Sequence, residues 1–195
     1  GPSGLAGMAA LRPERGVRLL RPLLSVSRAA VRDWLRVRRH DWIDDPSNEL
    51  TRFERVRVRK SLSEEASRLL IERAQASGDE RDRLERATAA LLAEAAQVIN
   101  GGYVAIGLGP FLAAGREIQA MALRHVTHAV SGADYTSDFA DILLSVAEGR
   151  REARTRGGCL FQTLQGRLCV FREAAAAPSP QPVAPGWNGL WDNRF

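Results

Sequence analysis

Apolar residues recur three and four positions apart along most of the chain, which predicts a mainly helical protein. In the first helix, over 28–39, Val31, Trp34 and Leu35 form one apolar stripe. Ser27 precedes this stripe and is a suitable N-cap. Further helices are predicted over about 50–73, 79–100, 110–130 and 138–148.

Alternating apolar residues predict a β-hairpin in which 159–164 pairs with 167–172 around Gln165-Gly166. Shorter extended segments are predicted over 19–24 and 103–108. The hairpin register has three diagnostic pairs: Thr163 opposite Leu168, Gln162 opposite Cys169, and Cys159 opposite Arg172. A disulfide requires Cα atoms within about 7 Å. Since this register separates the cysteines, we expect reduced thiols and a cytoplasmic protein.

These elements predict a mainly α fold with a small β-hairpin or sheet. The length of 195 residues fits one domain or two small ones. Four prolines and a run of alanines predict a linker over 174–186. No apolar run reaches the length of a membrane span, so no membrane partner is expected.

The positive charge is concentrated in the first third of the chain. Residues 1–60 hold 14 Arg and Lys against 7 Asp and Glu, whereas residues 61–195 hold 14 against 16. The near absence of lysine is typical of a GC-rich genome, but codon bias does not explain the clustering. A concentrated positive field suggests a polyanionic partner.

The densest group of polar residues runs from Asp44 to Arg59. It contains a turn sequence (Asp44, Asp45, Pro46, Ser47, Asn48) and three alternate arginines (Arg55, Arg57, Arg59). On a helix, Arg55 and Arg59 share a face and are suited to gripping a phosphate, whereas Arg57 points about 200° away. The aspartates would cap the helix or hold the arginines. The alternative is a capped helix with ordinary surface salt bridges.

The chain contains no complete catalytic set. The phosphate loop G-x-x-x-x-G-K-[ST], the nucleophile elbow and H-E-x-x-H are all absent from the sequence. His125 and His128 are three residues apart on one predicted helix, but no third ligand is evident. We therefore interpret them as ordinary helix residues and expect no metal site.

The motifs in the first third resemble those of the bacterial tRNA(Ile)-lysidine synthetases. The resemblance is carried by Arg21-Pro22-Leu23-Leu24, by Trp42-Ile43 followed by the turn sequence, and by Phe53-x-Arg55-x-Arg57-Val58-Arg59. The opening Gly4-Leu5-x-Gly7-Met8 and the closing hairpin are also similar. Val56 departs from the family pattern, which has Asn there, and Ser61-Leu62-Ser63 replaces a segment containing leucine and proline.

The resemblance implies an ATP-dependent ligase. Family members adenylate the wobble cytidine of a CAU-anticodon tRNA(Ile), and the amine of free L-lysine then displaces AMP. The implied cofactor is ATP with Mg²⁺, and a homodimer is compatible with the resemblance. The family's S-G-G-x-D-S loop, which holds ATP, is absent from this sequence. We therefore expect the isolated chain to bind no cofactor and to be inactive.

The resemblance also implies a domain organisation. Residues 1–73 would be the tail of an α/β ATP-pyrophosphatase (PP-loop) domain, residues 74–173 a helical tRNA-binding middle domain, and residues 174–195 a linker into a C-terminal domain. Arg55, Arg57 and Arg59 would bind nucleotide or tRNA phosphates, with Arg55 and Arg59 facing them directly, and the 44–48 turn would position these arginines. A second basic cluster would be either a tRNA contact or a solvated loop: Arg150, Arg151, Arg154 and Arg156.

Two other functions remain open at this stage. One is another tRNA-modifying PP-loop ATPase, although thiolation enzymes often carry a C-x-x-C pair that this chain lacks. The other is a non-catalytic, arginine-rich module that binds nucleic acid or a helical partner.

Overall fold

The computed structural model describes residues 2–14, 17–100, 102–132, 138–179 and 182–187. The chain divides into two compact units, Gly1–Arg81 and Asp82–Phe195. Thr136 and Ser137, which directly precede the helix predicted over 138–148, lie outside the described residues, as do residues 188–195.

The first unit consists of short elements joined by turns. In chain order they are α1 (Pro2–Leu5), β1 (Leu11–Glu14), β2 (Val17–Leu20), α2 (Arg28–Val37), a 3-10 turn (Pro46–Glu49), α3 (Glu54–Ser61) and the first part of α4 (Glu64–Ala95). β1 and β2 form an antiparallel ribbon in which Leu11 lies opposite Leu20. Among the described side chains of this unit, Ala6 and Val56 are buried.

The second unit is built on a five-stranded antiparallel sheet of order β3-β4-β7-β6-β5. Its strands are β3 (Ala96–Ile99), β4 (Tyr103–Gly107), β5 (Arg154–Arg156), β6 (Cys159–Leu164) and β7 (Arg167–Arg172). Its further helices are α5 (Leu108–Ala113), α6 (Arg116–Ser131) and α7 (Ala140–Ala147).

One face of this sheet carries the hydrophobic core. Inward residues of β4 and β7, such as Ile106 and Val170, pack with Phe111 of α5, Leu123 of α6 and Ile142 of α7. Each of these five side chains is at most 1% exposed. Phe139 and Phe161 add an edge-to-face aromatic contact with ring centroids 5.9 Å apart.

The hairpin prediction is confirmed in its register. Cys159 pairs with Arg172, Gln162 with Cys169, and Thr163 with Leu168. Both cysteines are buried free thiols. The turn follows from Gln165-Gly166, whose two residues both adopt positive φ, the backbone that a two-residue hairpin turn requires.

The predicted helix limits between 50 and 100 are wrong. α3 ends at Ser61, Leu62 is extended, and α4 then runs without interruption through Gly78. Ser63 accepts a hydrogen bond from the Ala66 amide at 3.1 Å, so a side-chain cap restarts the helix there. An internal glycine costs only about 1 kcal/mol relative to alanine, which a helix of this length tolerates.

The predicted end of the long helix is also wrong. The chain leaves α4 at Ala95 and forms β3, where Val98 lies opposite Val104 and Ile99 opposite Tyr103. β-branched residues favour strands, and Gly102 with positive φ serves the hairpin turn rather than a helix end. The 110–130 helix is likewise two helices, because Ala114 is extended and Gly115 is the N-cap of α6.

About half of the structure is helical, which agrees with the helical part of the predicted fold class, but a two-stranded and a five-stranded sheet take the place of a single small hairpin. The sequence analysis did not identify β1, β3 or β5, and the extended segment predicted over 19–24 overlaps β2 only at its first two residues. The predicted helix 28–39 is confirmed as α2, and the Ala30 amide donates to Ser27 Oγ at 3.1 Å. Within the described ranges, no helix combines the length and the apolar character needed to cross a bilayer.

Candidate functional site

The 44–48 segment forms a capped turn, as its composition predicts. The Ser47 amide donates to Asp45 Oδ1 at 2.8 Å, and Pro46 begins the 3-10 turn with the backbone angle that proline prefers. The Leu50 amide donates to the Ser47 carbonyl at 3.3 Å, which closes the turn. The side chain of Asn48 lies outside the described part of the structure.

Asp44 is held by α2 and by Trp42. The Arg32 guanidinium donates to Asp44 Oδ1, and Trp42 Nε1 donates to Asp44 Oδ2 at 3.3 Å. The guanidinium carbons of Arg32 and Arg36 lie 5.9 and 5.6 Å from the Trp42 ring centre. Such cation–π contacts contribute about 0.5–1 kcal/mol at exposed sites. Together Arg32, Arg36, Trp42 and Asp44 form a group that we call the Trp42 cluster.

Sequence reasoning missed this cluster. The sequence analysis assigned no role to Arg32 or Arg36. Their four-residue spacing puts both on one side of α2, and this spacing together with a nearby tryptophan is the signal that was available. The geometry also shows what Asp44 does: it pairs with Arg32, while Asp45 caps the turn.

Arg57 supports the turn that leads into α3. Its Nη1 donates to the Thr51 and Arg52 carbonyl oxygens at 2.9 and 3.0 Å. The guanidinium therefore bridges α3 to the preceding turn. Val56, next to it, is 3% exposed, which accounts for an apolar residue at this position.

The structure confirms that residues 55 and 59 lie on one continuous helix, α3, one turn apart in the backbone. Their side chains lie outside the described part of the structure. The predicted phosphate grip of Arg55 and Arg59 therefore stays a prediction. Of the three arginines, Arg57 is the one whose side-chain contacts the structure describes.

The second basic cluster surrounds β5, an edge strand of the five-stranded sheet. Arg154 and Arg156 lie on this strand and are half-buried, so a wholly solvated loop is the wrong description for them. Arg156 Nη2 lies 2.9 Å from Asp141 Oδ2, and Arg150 Nε lies 2.6 Å from Glu148 Oε2. Arg151 is exposed. Within the described part of the chain, two of the four cations thus have carboxylate partners.

The ion pair with Arg156 changes the acidity of Asp141. Partial burial acts to raise the pKa of Asp141, but the hydrogen bond and the charge of Arg156 outweigh it and hold the pKa below its usual value. The carboxylate therefore stays ionised in the folded protein at neutral pH.

Among the described residues, His125 and His128 of α6 belong to no larger group of metal-ligating side chains. Burial lowers the pKa of His125 below 6.5; Glu85 opposes this shift, while Arg124 and His128 add to it. Within the described ranges, no three His, Cys, Asp or Glu side chains converge as metal ligands.

Comparisons with known proteins agree with the resemblance found in the motifs. Residues 1–66 match the model of a PP-loop domain. The chain is 33% identical to the tRNA(Ile)-lysidine synthase of Ruegeria pomeroyi over 98% of this chain and 47% of the relative. It is 31% identical to that of Rhizobium meliloti over 97% and 42%, and 35% identical to that of Brucella suis over 97% and 45%.

The similarity extends over nearly the whole chain, so the predicted resemblance to tRNA(Ile)-lysidine synthetases is confirmed. The chain spans a little under half the length of these relatives. The PP-loop match also fits the α/β ATP-pyrophosphatase assignment of the first part of the chain.

Proposed function

We propose that this chain is part of a tRNA(Ile)-lysidine synthetase, an ATP-dependent ligase that modifies the wobble cytidine of a CAU-anticodon tRNA. The observation that carries the proposal is the 33% identity to a tRNA(Ile)-lysidine synthase over 98% of the chain. Residues 1–73 would close the PP-loop domain, residues 74–173 would form the tRNA-binding middle domain, and residues 174–195 would lead into a C-terminal domain.

The proposed reaction explains the charge distribution. Adenylation of a base and displacement of AMP by lysine both develop charge on phosphate oxygens, which positioned cations stabilise. A tRNA backbone also requires a basic surface. Residues 1–60 supply 14 of the 28 basic residues against only 7 acidic ones.

In this proposal Arg55 and Arg59 contact nucleotide or tRNA phosphates, and Arg57 is a positioning residue. The support for Arg57 is its pair of hydrogen bonds to the carbonyls of Thr51 and Arg52, which fix the start of α3. Asp45 and Ser47 shape the preceding turn through the 2.8 Å hydrogen bond between them. Arg151, which is exposed, is the member of the second basic cluster that we favour for a tRNA contact.

ATP and Mg²⁺ belong to the proposed reaction of the native-length protein, with L-lysine as second substrate and a homodimer as a further proposal. The described residues contain no converging set of three metal-ligating side chains, so we assign no Mg²⁺ ligand to this chain. When bound elsewhere in the native-length enzyme, ATP would supply the adenylyl group. The residues here would bind phosphate and orient the tRNA.

The direct test is incorporation of labelled lysine into total tRNA by the native-length protein, with and without ATP. We expect ATP-dependent incorporation confined to the CAU-anticodon tRNA(Ile). Absence of incorporation by an otherwise intact, tRNA-binding protein would reject the ligase. It would favour the second candidate, a tRNA-binding module, which the concentration of basic residues in 1–60 supports.

The first prediction concerns the two arginines of α3. Arg55→Ala and Arg59→Ala in the native-length enzyme should each lower kcat/KM for lysidine formation at least about tenfold, since a hydrogen bond to a charged group contributes about 1.5–3 kcal/mol. Arg68→Ala is the matched control, because Arg68 is an exposed helix arginine whose Nε lies 3.8 Å from Glu72. Wild-type activity in both α3 variants would remove them from the phosphate site.

A further inference from the structure

The second unit has a cleft that the proposed function does not use. The hydrophobic core lies on one face of the five-stranded sheet. Because successive side chains of a strand point to opposite faces, the alternate residues of β4 and β7 lie on the other face. There they border a cleft of about 430 Å³.

The sheet register gives this cleft a narrow floor. Ala105 of β4 lies opposite Cys169 of β7, and Cys169 lies opposite Gln162 of β6. Ala105 and Cys169 are 3% and 6% exposed. Small side chains therefore form the base of the cleft, and larger ones rise on either side.

One wall of the cleft is aromatic. The rings of Tyr103 and Phe171 contact each other, with centroids 4.6 Å apart and planes inclined by 34°. Both side chains are only partly buried, so the pair presents an aromatic surface toward the cleft.

The opposite wall carries a cation. Arg167 lies opposite Gly107, where no side chain competes for space. Its Nη1 donates to Gln97 Oε1 at 2.9 Å, which holds the guanidinium beside the floor. Among the residues that line the cleft, Arg167 is the charged one, and none is a carboxylate.

We infer that this cleft binds an unpaired RNA base, which stacks on the Tyr103–Phe171 pair while Arg167 contacts the adjoining phosphate. The inference rests on the proposed function, which makes tRNA the substrate and an anticodon loop a source of unpaired bases. Single-stranded bases are commonly bound on the aromatic side chains of a sheet face beside basic residues.

The chemistry of the cleft favours RNA over a peptide or a second protein copy. A base offers a flat π-face to the aromatic pair, and its phosphate complements Arg167, since none of the residues that line the cleft is a carboxylate. Burial raises the pKa of the Cys169 thiol, and the opposing effect of Arg167 is smaller. The floor therefore stays uncharged at neutral pH and does not repel a nucleotide.

The test measures binding of three RNAs to the full chain: the unmodified CAU anticodon stem–loop of tRNA(Ile), oligouridine, and a fully paired duplex. We expect Tyr103→Leu and Arg167→Gln each to weaken binding of the two RNAs with unpaired bases by about tenfold. Duplex binding should change little with Tyr103→Leu. Tyr103→Phe keeps the ring and should retain wild-type affinity.

Matched controls separate the cleft from general effects. Val98→Ala alters an exposed apolar residue of β3 that lies opposite Val104, a core residue, and Arg124→Gln removes an exposed cation of α6. Both should bind oligouridine as the wild type does. Thermal unfolding of every variant checks that the fold is kept, and Tyr103→Phe remains informative if Tyr103→Leu fails to fold.

The outcomes distinguish this inference from the proposed function. Tyr103-dependent binding of oligouridine without any preference for the anticodon stem–loop would support the cleft while counting against a lysidine synthetase. Equal binding of oligouridine by the wild type, Tyr103→Leu and Arg167→Gln would overturn the inference. Loss of oligouridine binding by Tyr103→Phe would also overturn it. Self-association of the wild type that Tyr103→Leu abolishes, without an effect on RNA, would assign the cleft to a second copy.

Discussion

At the scale of single residues, the Arg156–Asp141 pair links β5 to α7. The two side chains are 41% and 39% exposed, and the pair is screened by solvent. Exposed pairs of this kind contribute about 0.2–1 kcal/mol. The structural consequence is that Arg156 is committed to a neighbour within its own unit and is less available to a tRNA phosphate than Arg151.

This pair predicts a pH dependence of stability. The pKa of Asp141 is lower in the folded protein than the ordinary value of 3.8. The pair's contribution is therefore fully present above the unfolded-state pKa and is lost as the pH falls through the lower folded-state pKa. Asp141→Asn should lower the free energy of unfolding by less than about 1 kcal/mol at neutral pH and should make no difference well below pH 3.8.

Urea unfolding at neutral and at acidic pH measures this effect. Asp138→Asn is the control: Asp138 lies three residues earlier, and its side chain accepts a hydrogen bond from the Ala140 amide. The side-chain oxygen of asparagine can still accept the hydrogen bond from the Ala140 amide, so this interaction is partly kept in Asp138→Asn. An Asp141→Asn penalty that persists unchanged at acidic pH would show that packing, rather than charge, stabilises this position.

At the scale of elements, the sequence correctly predicts those features that depend on the local pattern of apolar residues and on turn-forming or capping residues. Gln165-Gly166 and the alternation on either side specify one hairpin register, because a shift by one residue would turn every side chain to the wrong face. The Ser27 cap of α2 follows from the same kind of local rule. These predictions needed no knowledge of distant contacts.

Other elements depend on partners far along the chain. β3 pairs with β4 and β4 pairs with β7, so Ala96–Ile99 becomes a strand because of a sheet edge assembled later in the sequence. Its amphipathic pattern alone also fits the end of α4, and this is why the helix was extended too far. The Trp42 cluster has the same origin, because Arg32 meets Asp44 from 12 residues away.

The turn between β5 and β6 gives a prediction at this scale. Gly158 has a φ of +72°, and an added Cβ would lie 2.5 Å from Arg172 Nη1. Arg172 donates to the Gly158 and Ala176 carbonyls at 3.0 and 2.5 Å, so it cannot move without losing hydrogen bonds. Gly158→Ala should therefore cost about 1–3 kcal/mol from backbone strain and a further 0.5–1.5 kcal/mol, roughly, from Arg172.

Gly166→Ala is the matched control for the turn. Gly166 has a φ of +75°, but an added Cβ would meet no atom within 4 Å. In Gly166→Ala only the backbone strain destabilises the fold, since the new Cβ contacts no other atom. Thermal unfolding should therefore show a smaller loss of stability than for Gly158→Ala. Equal losses for the two variants would mean that Arg172 adapts at no cost.

At the scale of the whole molecule, the two units differ in how they bury apolar surface. The second unit has a continuous core around Phe111, Phe161 and Ile106. The first unit exposes large apolar side chains, with Ile43 94% and Trp34 54% exposed. Composition could not reveal this difference, since apolar residues are present in both parts of the chain.

The charge is also unevenly divided, and it predicts how RNA binding depends on salt. Each phosphate contact releases counterions and adds about 0.7–0.9 to the slope of log affinity against log salt concentration. Since the excess of basic residues lies in 1–60, we expect most of this slope to come from there. Replacing Arg28 and Arg39, which are exposed near the ends of α2, with glutamine should reduce the slope by about one per lost contact.

Replacing Arg150 tests a cation that already has a carboxylate partner, again through the salt dependence of tRNA binding. Its Nε already lies 2.6 Å from Glu148, so an RNA phosphate would have to displace an existing partner and the net gain would be small. Arg150→Gln should leave the slope of tRNA binding nearly unchanged. A larger fall in slope for Arg150→Gln than for Arg28→Gln or Arg39→Gln would move the main tRNA contact to the cluster around β5, and the basic excess of the first sixty residues would need another partner.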